Sequence, residues 1–587
     1  ATLCMVVYCQ NGTFEWTLYD DNRIIFENPE VLKGLTPSSI WWAFTHPNTG
    51  LYMPLPTLTY MLHFDLFGFW GGGHHLITDC WHAVATCTFF MVMLNLTGNF
   101  AAVFFAAILY AVYPVQAMTV NWLPANNAVM MDTFALCAIE AYRRFTRSRS
   151  KKAYVFSLLF MFLSLLCKQN WTIMPGILLM LDFWPLRRIE FDPKHPLLAI
   201  KPAFWLFVEK LPYFALSLVG VYFAFFGKAE MGAMEYNDFY SPFGNIGDAL
   251  IAYMRYIGIM LYPVKMAMAY TMIPWEVTGY HVAAAAMLML GITTMTLIFW
   301  RRGYPLVGWG WFVLVLLPVS RLVTYATESL ALRYLYTAAP GLYLLAAFAL
   351  YDIARRFPGK GHEHLRNAGP NDPMPRWYWA VVAVVTIVSS VDCFYQSGFW
   401  RNSETIAQRA LVVTDGKNPI AHNHLAYLRG RAGLKDDAYF HLREMLRLEP
   451  QSEVWQALVA VEMNQRAKDG KHPELYAESI KLLEPLAKKY PEKAKIVQEY
   501  GACLMAMGRY EEAAEQFKIA CKADPGYYTA LLNCASCLVM LGKPDEAKPY
   551  YEAALKVEPN SALAKEQLYR IEQGNYSPET KPIAVAN

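Results

Sequence analysis

Apolar runs at about 74–97, 100–117, 124–142, 153–168, 170–184, 211–227, 280–300, 304–319, 334–352 and 377–397 fill most of the first 400 residues. A helix needs about 20 such residues to cross some 30 Å of hydrocarbon, so each run is read as a membrane span. The opening run, Ala1 to Tyr8, is too short and is read as the end of a truncated first span. Ala249 to Tyr270 is apolar but interrupted by Arg255, Pro263 and Lys265, which predicts an interfacial or re-entrant helix. Basic residues orient the spans. Arg143 to Lys152, Arg187-Arg188, Arg301-Arg302 and Arg355 to Arg376 fall on the cytoplasmic side, and Gln10 to Gly73 and Ser320 to Leu332 on the other. The expectation is about eleven spans, with the N-terminus inside and the C-terminus outside.

Beyond residue 400 the pattern changes to a repeat. Pro491, Pro525 and Pro559 are 34 residues apart, as are Gly508 and Gly542, Ala513 and Ala547, and Ala520 and Ala554. This is the tetratricopeptide (TPR) period, in which small residues let paired helices pack closely and Pro ends the second. Gly433, Ala438 and Pro450 keep the same offsets one unit earlier, with an insertion around Lys468 to Pro473. Four units predict a short solenoid with a concave protein- or peptide-binding face. The fold class is therefore all-α. A membrane bundle occupies 1–400, with a first outer loop at about 10–73, the TPR solenoid 401–573 and a flexible tail 574–587.

Composition sharpens this division. Residues 401–587 hold 50 charged side chains, or 27%, against 49 in the first 400, or 12%. A net charge of +3 argues against a nucleic-acid partner. Eleven cysteines in 587 residues do not make a disulfide scaffold. Cys534 and Cys537 form a CxxC, but Cys503 repeats the position of Cys537, so both read as small core residues of the solenoid. Sequons at Asn11-Gly12-Thr13 and Asn575-Tyr576-Ser577 are too common to assign a compartment.

Candidate chemistry gathers in the first loop and at the outer ends of spans. Asp20 and Asp21 follow the first apolar segment closely, where an acid is costly unless solvated, paired or used. His75, Asp79 and His82 share one helical face, a pattern that fits internal pairing better than a divalent metal site. Tyr19-Asp20-Asp21 with Asn28-Pro29, Gly34-Leu35-Thr36, Pro54-Leu55, Phe67-Gly68, His74-His75, His82-Ala83, Tyr113-Pro114 with Gln116 and Trp122, Cys167-Lys168, Leu181-Asp182 and Arg333-Tyr334-Leu335-Tyr336 run through the membrane half. Together with the TPR array, these stretches resemble the GT-C superfamily of membrane glycosyltransferases, most closely the transmembrane-and-TPR O-mannosyltransferase branch and its bacterial relatives.

The resemblance implies a GT-C-like helix bundle and transfer of a sugar from a polyprenyl-phosphate donor to a hydroxyl of an exported protein or glycan. Asp21 or Asp20 would be the general base. Lys168 and Arg333 would bind the donor phosphate, with Arg255 and Arg321 as weaker candidates. His75, His82 and Trp122 would line the cavity, a divalent metal not being favoured, and the TPR groove would present the acceptor on the non-cytoplasmic side, in a periplasm, at an extracellular face or in an ER lumen. This chain departs from the branch at Tyr113, Met118, Asn126 and Leu332, where relatives carry His, an acid, Arg and Asp. The last three swaps remove charge from the outer face, which supports a second reading: a non-catalytic membrane scaffold whose TPR array holds a partner complex.

Overall fold

The computed structural model describes residues 1–189, 200–230, 242–268, 270, 279–320, 322, 330–358, 369, 372–468, 470 and 472–574. Among them the chain is helical throughout, and the only strand-like pairing is the bridge Asn48–Leu51. It divides into two compact units, Ala1–Gly416 and Lys417–Asn587. The division falls later than the expected boundary at 400, because the helix Ser403–Val413 belongs to the first unit.

The first unit is that of a multi-pass membrane protein. Gly71–Thr97, Gly279–Ile298, Leu332–Arg356 and Arg376–Trp400 are long and apolar enough to span. Ile200–Glu209 and Leu211–Gly227, bent by 48° at their junction, could form a fifth span. Phe100–Val112 and Tyr304–Val319 are shorter apolar helices, so the expected count of about eleven is approximate. The run at 170–184 forms a tight turn, Gln169–Ile173, followed by the ten-residue helix Met174–Phe183. At 1.5 Å per residue that helix is about 15 Å long, half a bilayer core. The expected interfacial segment forms the helix Pro242–Leu261, which ends just before Pro263 and is not in the spanning set.

Local chemistry sets the turns between these helices. Gly98, in the left-handed region at φ +69°, closes Gly71–Thr97, and the Asn99 side chain then accepts from the Ala102 amide to start Phe100–Val112. Asn126–Ser148 and Lys151–Cys167 form a hairpin whose tip is the basic stretch 143–152, with Ser150 capping the second helix. Where Tyr304–Leu316 meets Leu335–Arg356, Gly308 and Gly341 face each other. A Cβ on Gly341 would lie 2.4 Å from the Gly308 carbonyl, so small residues set that approach.

The first loop is folded, not slack. A capping box at Thr36 and Ser39 starts the helix Pro37–Thr45, and Pro54–Phe67 follows. Ile24, Ile25, Val31, Ala43, Met53, Tyr60 and Met61 pack into a small core that includes Leu123, fixing the loop against the segment before Asn126. Tyr60 reinforces this by donating to the Leu123 and Pro124 carbonyls, both at 3.2 Å.

The second unit contains four helix pairs: Pro419–Arg431 with Lys435–Leu448, Glu453–Lys468 with Glu474–Lys489, Ala494–Ala506 with Tyr510–Ala523, and Tyr528–Met540 with Pro544–Val557. A last helix, Ala562–Glu572, covers the end. The inserted residues connect the two helices of the second pair. Cys503, Cys534 and Cys537 are fully buried in the shared core with Ala513, Phe517 and Ala547, and all are free thiols.

Candidate functional site

The acidic pair of the first loop is asymmetric. Asp20 takes a left-handed φ of +66° and is exposed, whereas Asp21 is fully buried. The Asp21 Oδ2 accepts from both the amide and the hydroxyl of Thr17 at 2.8 Å. Its Oδ1 has no hydrogen-bond partner among the described residues. Burial pushes the Asp21 carboxyl up from 3.8 to about 8; the two Thr17 bonds oppose the rise and the neighbouring Asp20 charge adds to it. A carboxyl near neutrality with a free oxygen suits proton transfer.

Trp122 links this loop to the first cation. Its indole N–H donates to the Tyr19 carbonyl at 2.6 Å, immediately before Asp20. The Arg333 guanidinium carbon lies 5.5 Å from the Trp122 ring centre and 4.9 Å from that of Tyr334. Lys168 follows the helix Lys151–Cys167 in an extended conformation. Arg333 and Asp132 are the charged groups acting on its ammonium. Lys168 and Arg333, 165 residues apart, are thus near enough for their charges to act on one another, and Trp122 joins Arg333 to the loop that carries Asp20 and Asp21.

Asp132 is a member of this group that the sequence reading missed. It is 3% exposed on the helix Asn126–Ser148. Its Oδ1 accepts from the Trp171 indole at 2.7 Å and the Thr337 hydroxyl at 2.9 Å. The available signal was an acid in the middle of the apolar run 124–142, which in a membrane segment marks a paired or functional group.

The remaining candidates lie elsewhere. Arg255 is in the electrostatic surroundings of Tyr270, as is Arg409, and is not among the charges acting on Lys168. Arg321 lies outside the described residues. His75, Asp79 and His82 take separate partners. His82 is bonded through one nitrogen to the Tyr336 hydroxyl at 2.8 Å and through the other to the Ala111 carbonyl at 2.9 Å. Asp79 accepts from Asn11 at 2.8 Å, and His75 packs edge-on against Phe14. No group of three His, Cys, Asp or Glu residues among the described residues could hold a metal. Met118 and Leu332, two of the positions that depart from the branch, line one narrow cavity of about 30 Å³ with Met266 and Met268.

The second unit has its own cavity of about 470 Å³, walled by residues of the second, third and fourth helix pairs. Gln498 and Asn533, both more than nine-tenths buried, line it. Its lining holds two lysines, Lys468 and Lys495, and two acids, Glu499 and Asp524, so its charges balance.

Comparison with known proteins divides along the same lines. The coatomer epsilon subunit family model matches residues 470–570, within the helical repeat. The TPR protein YrrB, described as having an unusual peptide-binding site, is 16% identical over 32% of this chain and 89% of its own, at a TM-score of 0.25. A protein O-mannosyl-transferase of Caenorhabditis elegans, F38B6.6, is 22% identical over 466 residues, covering 76% of this chain. The protein O-mannosyl-transferase Tmtc1 of Drosophila melanogaster is 28% identical over 160 residues. The chain spans 61% of the first relative's length and 19% of the second's. Over about three quarters of its length, then, the chain is a relative of the transmembrane-and-TPR, O-mannosyltransferase-like branch.

Proposed function

We propose that the chain is a membrane glycosyltransferase that moves a sugar, by analogy with its relatives a mannosyl group, from a polyprenyl-phosphate donor to a hydroxyl of a polypeptide. The observation that carries this reading is the convergence of Lys168 and Arg333 beside the loop bearing Asp21. The acceptor oxygen attacks the anomeric carbon, the carbon–oxygen bond to phosphate breaks, and the proton passes to the Asp21 Oδ1. The lipid phosphate leaves with the bonding electrons, and Lys168 and Arg333 offset its charge. Trp122 forms a wall of the site and holds Arg333 in place. The cavity of the second unit takes the acceptor polypeptide, with the Gln498 and Asn533 carboxamides suited to pairing with backbone amides.

Arg333→Ala is expected to weaken donor binding by about 10- to 100-fold, the range for a lost hydrogen bond to a charged group. Arg333→Lys should recover only part, because an ammonium lacks the planar fork. Titration with a polyprenyl-phosphate sugar, followed by transfer to a threonine-containing peptide, tests both. Wild-type affinity in Arg333→Ala would remove the phosphate site.

The scaffold reading rests on the Met118–Leu332 cavity, where two charges of the branch give way to apolar contact. It predicts peptide binding without transfer to any peptide from any polyprenyl-linked sugar.

On this reading the second unit lies on the non-cytoplasmic side, an orientation that the basic stretches at 143–152 and 355–376 support. A reporter active only in the cytoplasm, fused after Asn587, should stay silent. A strong signal would reverse the topology.

A further inference from the structure

The cavity of the second unit balances its charges in number but not in engagement. Lys495 and Glu499 stand four residues apart on the helix Ala494–Ala506, a spacing that brings opposite charges together on a helix surface. Glu499 is turned elsewhere. Asn464, 1% exposed on the preceding helix pair, donates to the Glu499 Oε2 at 3.0 Å and to its carbonyl at 3.4 Å. Asn464 is fixed in turn by the Cys503 thiol, which donates to its Oδ1 at 2.8 Å. The Asp524 Oδ1 accepts from the Gly526 amide at 2.9 Å. Both acids are thus engaged by their own chain. Among the described residues, the side chains of Lys468 and Lys495 make no ion pair and no hydrogen bond. Asn533, 7% exposed on the helix Tyr528–Met540, lines the same cavity and likewise has no side-chain hydrogen bond among the described residues. Its carboxamide can both donate to and accept from an extended backbone. We propose that this cavity selects a polypeptide segment bearing an acidic side chain, the backbone held by Asn533 and the carboxylate by the Lys468 and Lys495 ammoniums. This rests on the reading of the cavity as the acceptor site. A basic side chain in the same place would meet two like charges and find Glu499 already bonded to Asn464, so charge discriminates against it. The two lysines belong to the second and third helix pairs and Asn533 to the fourth, so only a ligand lying across all three engages the whole set.

The test uses the full chain in lipid nanodiscs and three labelled nonapeptides of alanine and threonine that differ only at the central residue, which is glutamate, glutamine or lysine. Anisotropy titration of the wild type should rank them in that order, tightest first. Lys468→Gln and Lys495→Gln should each cut the preference for glutamate over glutamine by about 2- to 5-fold, the scale of one partly exposed ion pair. Neither should alter the affinity for the glutamine peptide. Salt at about 1 M should reduce the same preference in the wild type. Lys565→Gln removes the same charge from an exposed residue outside the cavity lining and should leave the ranking unchanged. Equal binding of the three peptides by the wild type, or a preference that survives both cavity lysine variants, overturns the proposal. Asn533→Ala separates the two levels of inference. If it weakens all three peptides while the wild type binds them equally, the cavity takes polypeptide and only its selectivity for an acid fails. If neither Asn533→Ala nor the lysine variants move any peptide, or the wild type binds none, the acceptor-site reading fails and takes this proposal with it.

Discussion

Asp21→Asn is expected to abolish sugar transfer, slowing it by about 10²- to 10⁴-fold, while leaving the fold and donor binding intact. The amide keeps an oxygen for the two Thr17 donors and fits the same buried space, but it cannot take a proton. The wild-type rate should rise with pH up to about 8, because burial holds the Asp21 carboxyl protonated at lower pH. Stability should run the other way. A carboxyl at 3.8 when unfolded and about 8 when folded binds more protons in the folded state. Its contribution is complete below about pH 4 and is lost as pH rises toward and through 8. The Asn variant lacks this dependence, so it should be more stable than wild type at pH 9 and show a flat pH dependence across the same window. Single-turnover transfer and thermal unfolding, each measured from pH 5 to 9, check both halves. Wild-type transfer by the Asn variant would remove Asp21 from the mechanism. The exposed Asp20 should tolerate the same change with a much smaller loss.

That contrast shows where the sequence runs out. Two adjacent acids mark a region, but their spacing says nothing about which is buried; the left-handed backbone at Asp20 and the Thr17 bonds decide it. The TPR array is legible because each unit repeats the same steric demands, small residues at the helix contact and Pro at the helix end. Lys168 and Arg333 are legible as cations at the ends of apolar runs, although only the folded chain brings them together. Asp132 was signalled only as an acid within an apolar run, with nothing to show what it meets. Its partners Trp171 and Thr337 lie 39 and 205 residues away, and no local pattern announces them. Span count is blurred for a related reason. Inside a bundle, protein can cover a short or broken helix such as Met174–Phe183, so hydropathy alone overcounts spans there.

The same distance hides a dense ionic network among the described residues of the first unit, and a large stability effect is expected there. Lys210 stands at the junction where the pair Ile200–Glu209 and Leu211–Gly227 bends. Lys210 and Asp182 are both fully buried and lie 2.5 Å apart. Arg188 bridges Asp182 at 3.1 Å and grips Glu209 through two bonds of 2.7 and 2.9 Å. The Tyr142 hydroxyl sits at the centre, within 2.9 Å of both carboxylates and bonded also to Lys210 and Arg188. With one proton to give, it must accept from the cations as it donates to an acid, so the network is complete only with every member present. Arg149, mostly exposed, also approaches Glu209 at 3.7 Å, so three cations surround the two acids. Lys210→Met removes the fully buried cation and leaves the buried Asp182 carboxylate to the partly exposed Arg188, which is expected to destabilise the protein by about 3–5 kcal/mol. Replacing both partners, in Lys210→Met with Asp182→Leu, removes opposite charges together and should recover most of that loss. A double-mutant cycle on the thermal stability of the detergent-solubilised chain measures the coupling. If the single variant stays within about 1 kcal/mol of wild type, below the range for breaking a buried pair, the network is not what fixes the bend at Lys210.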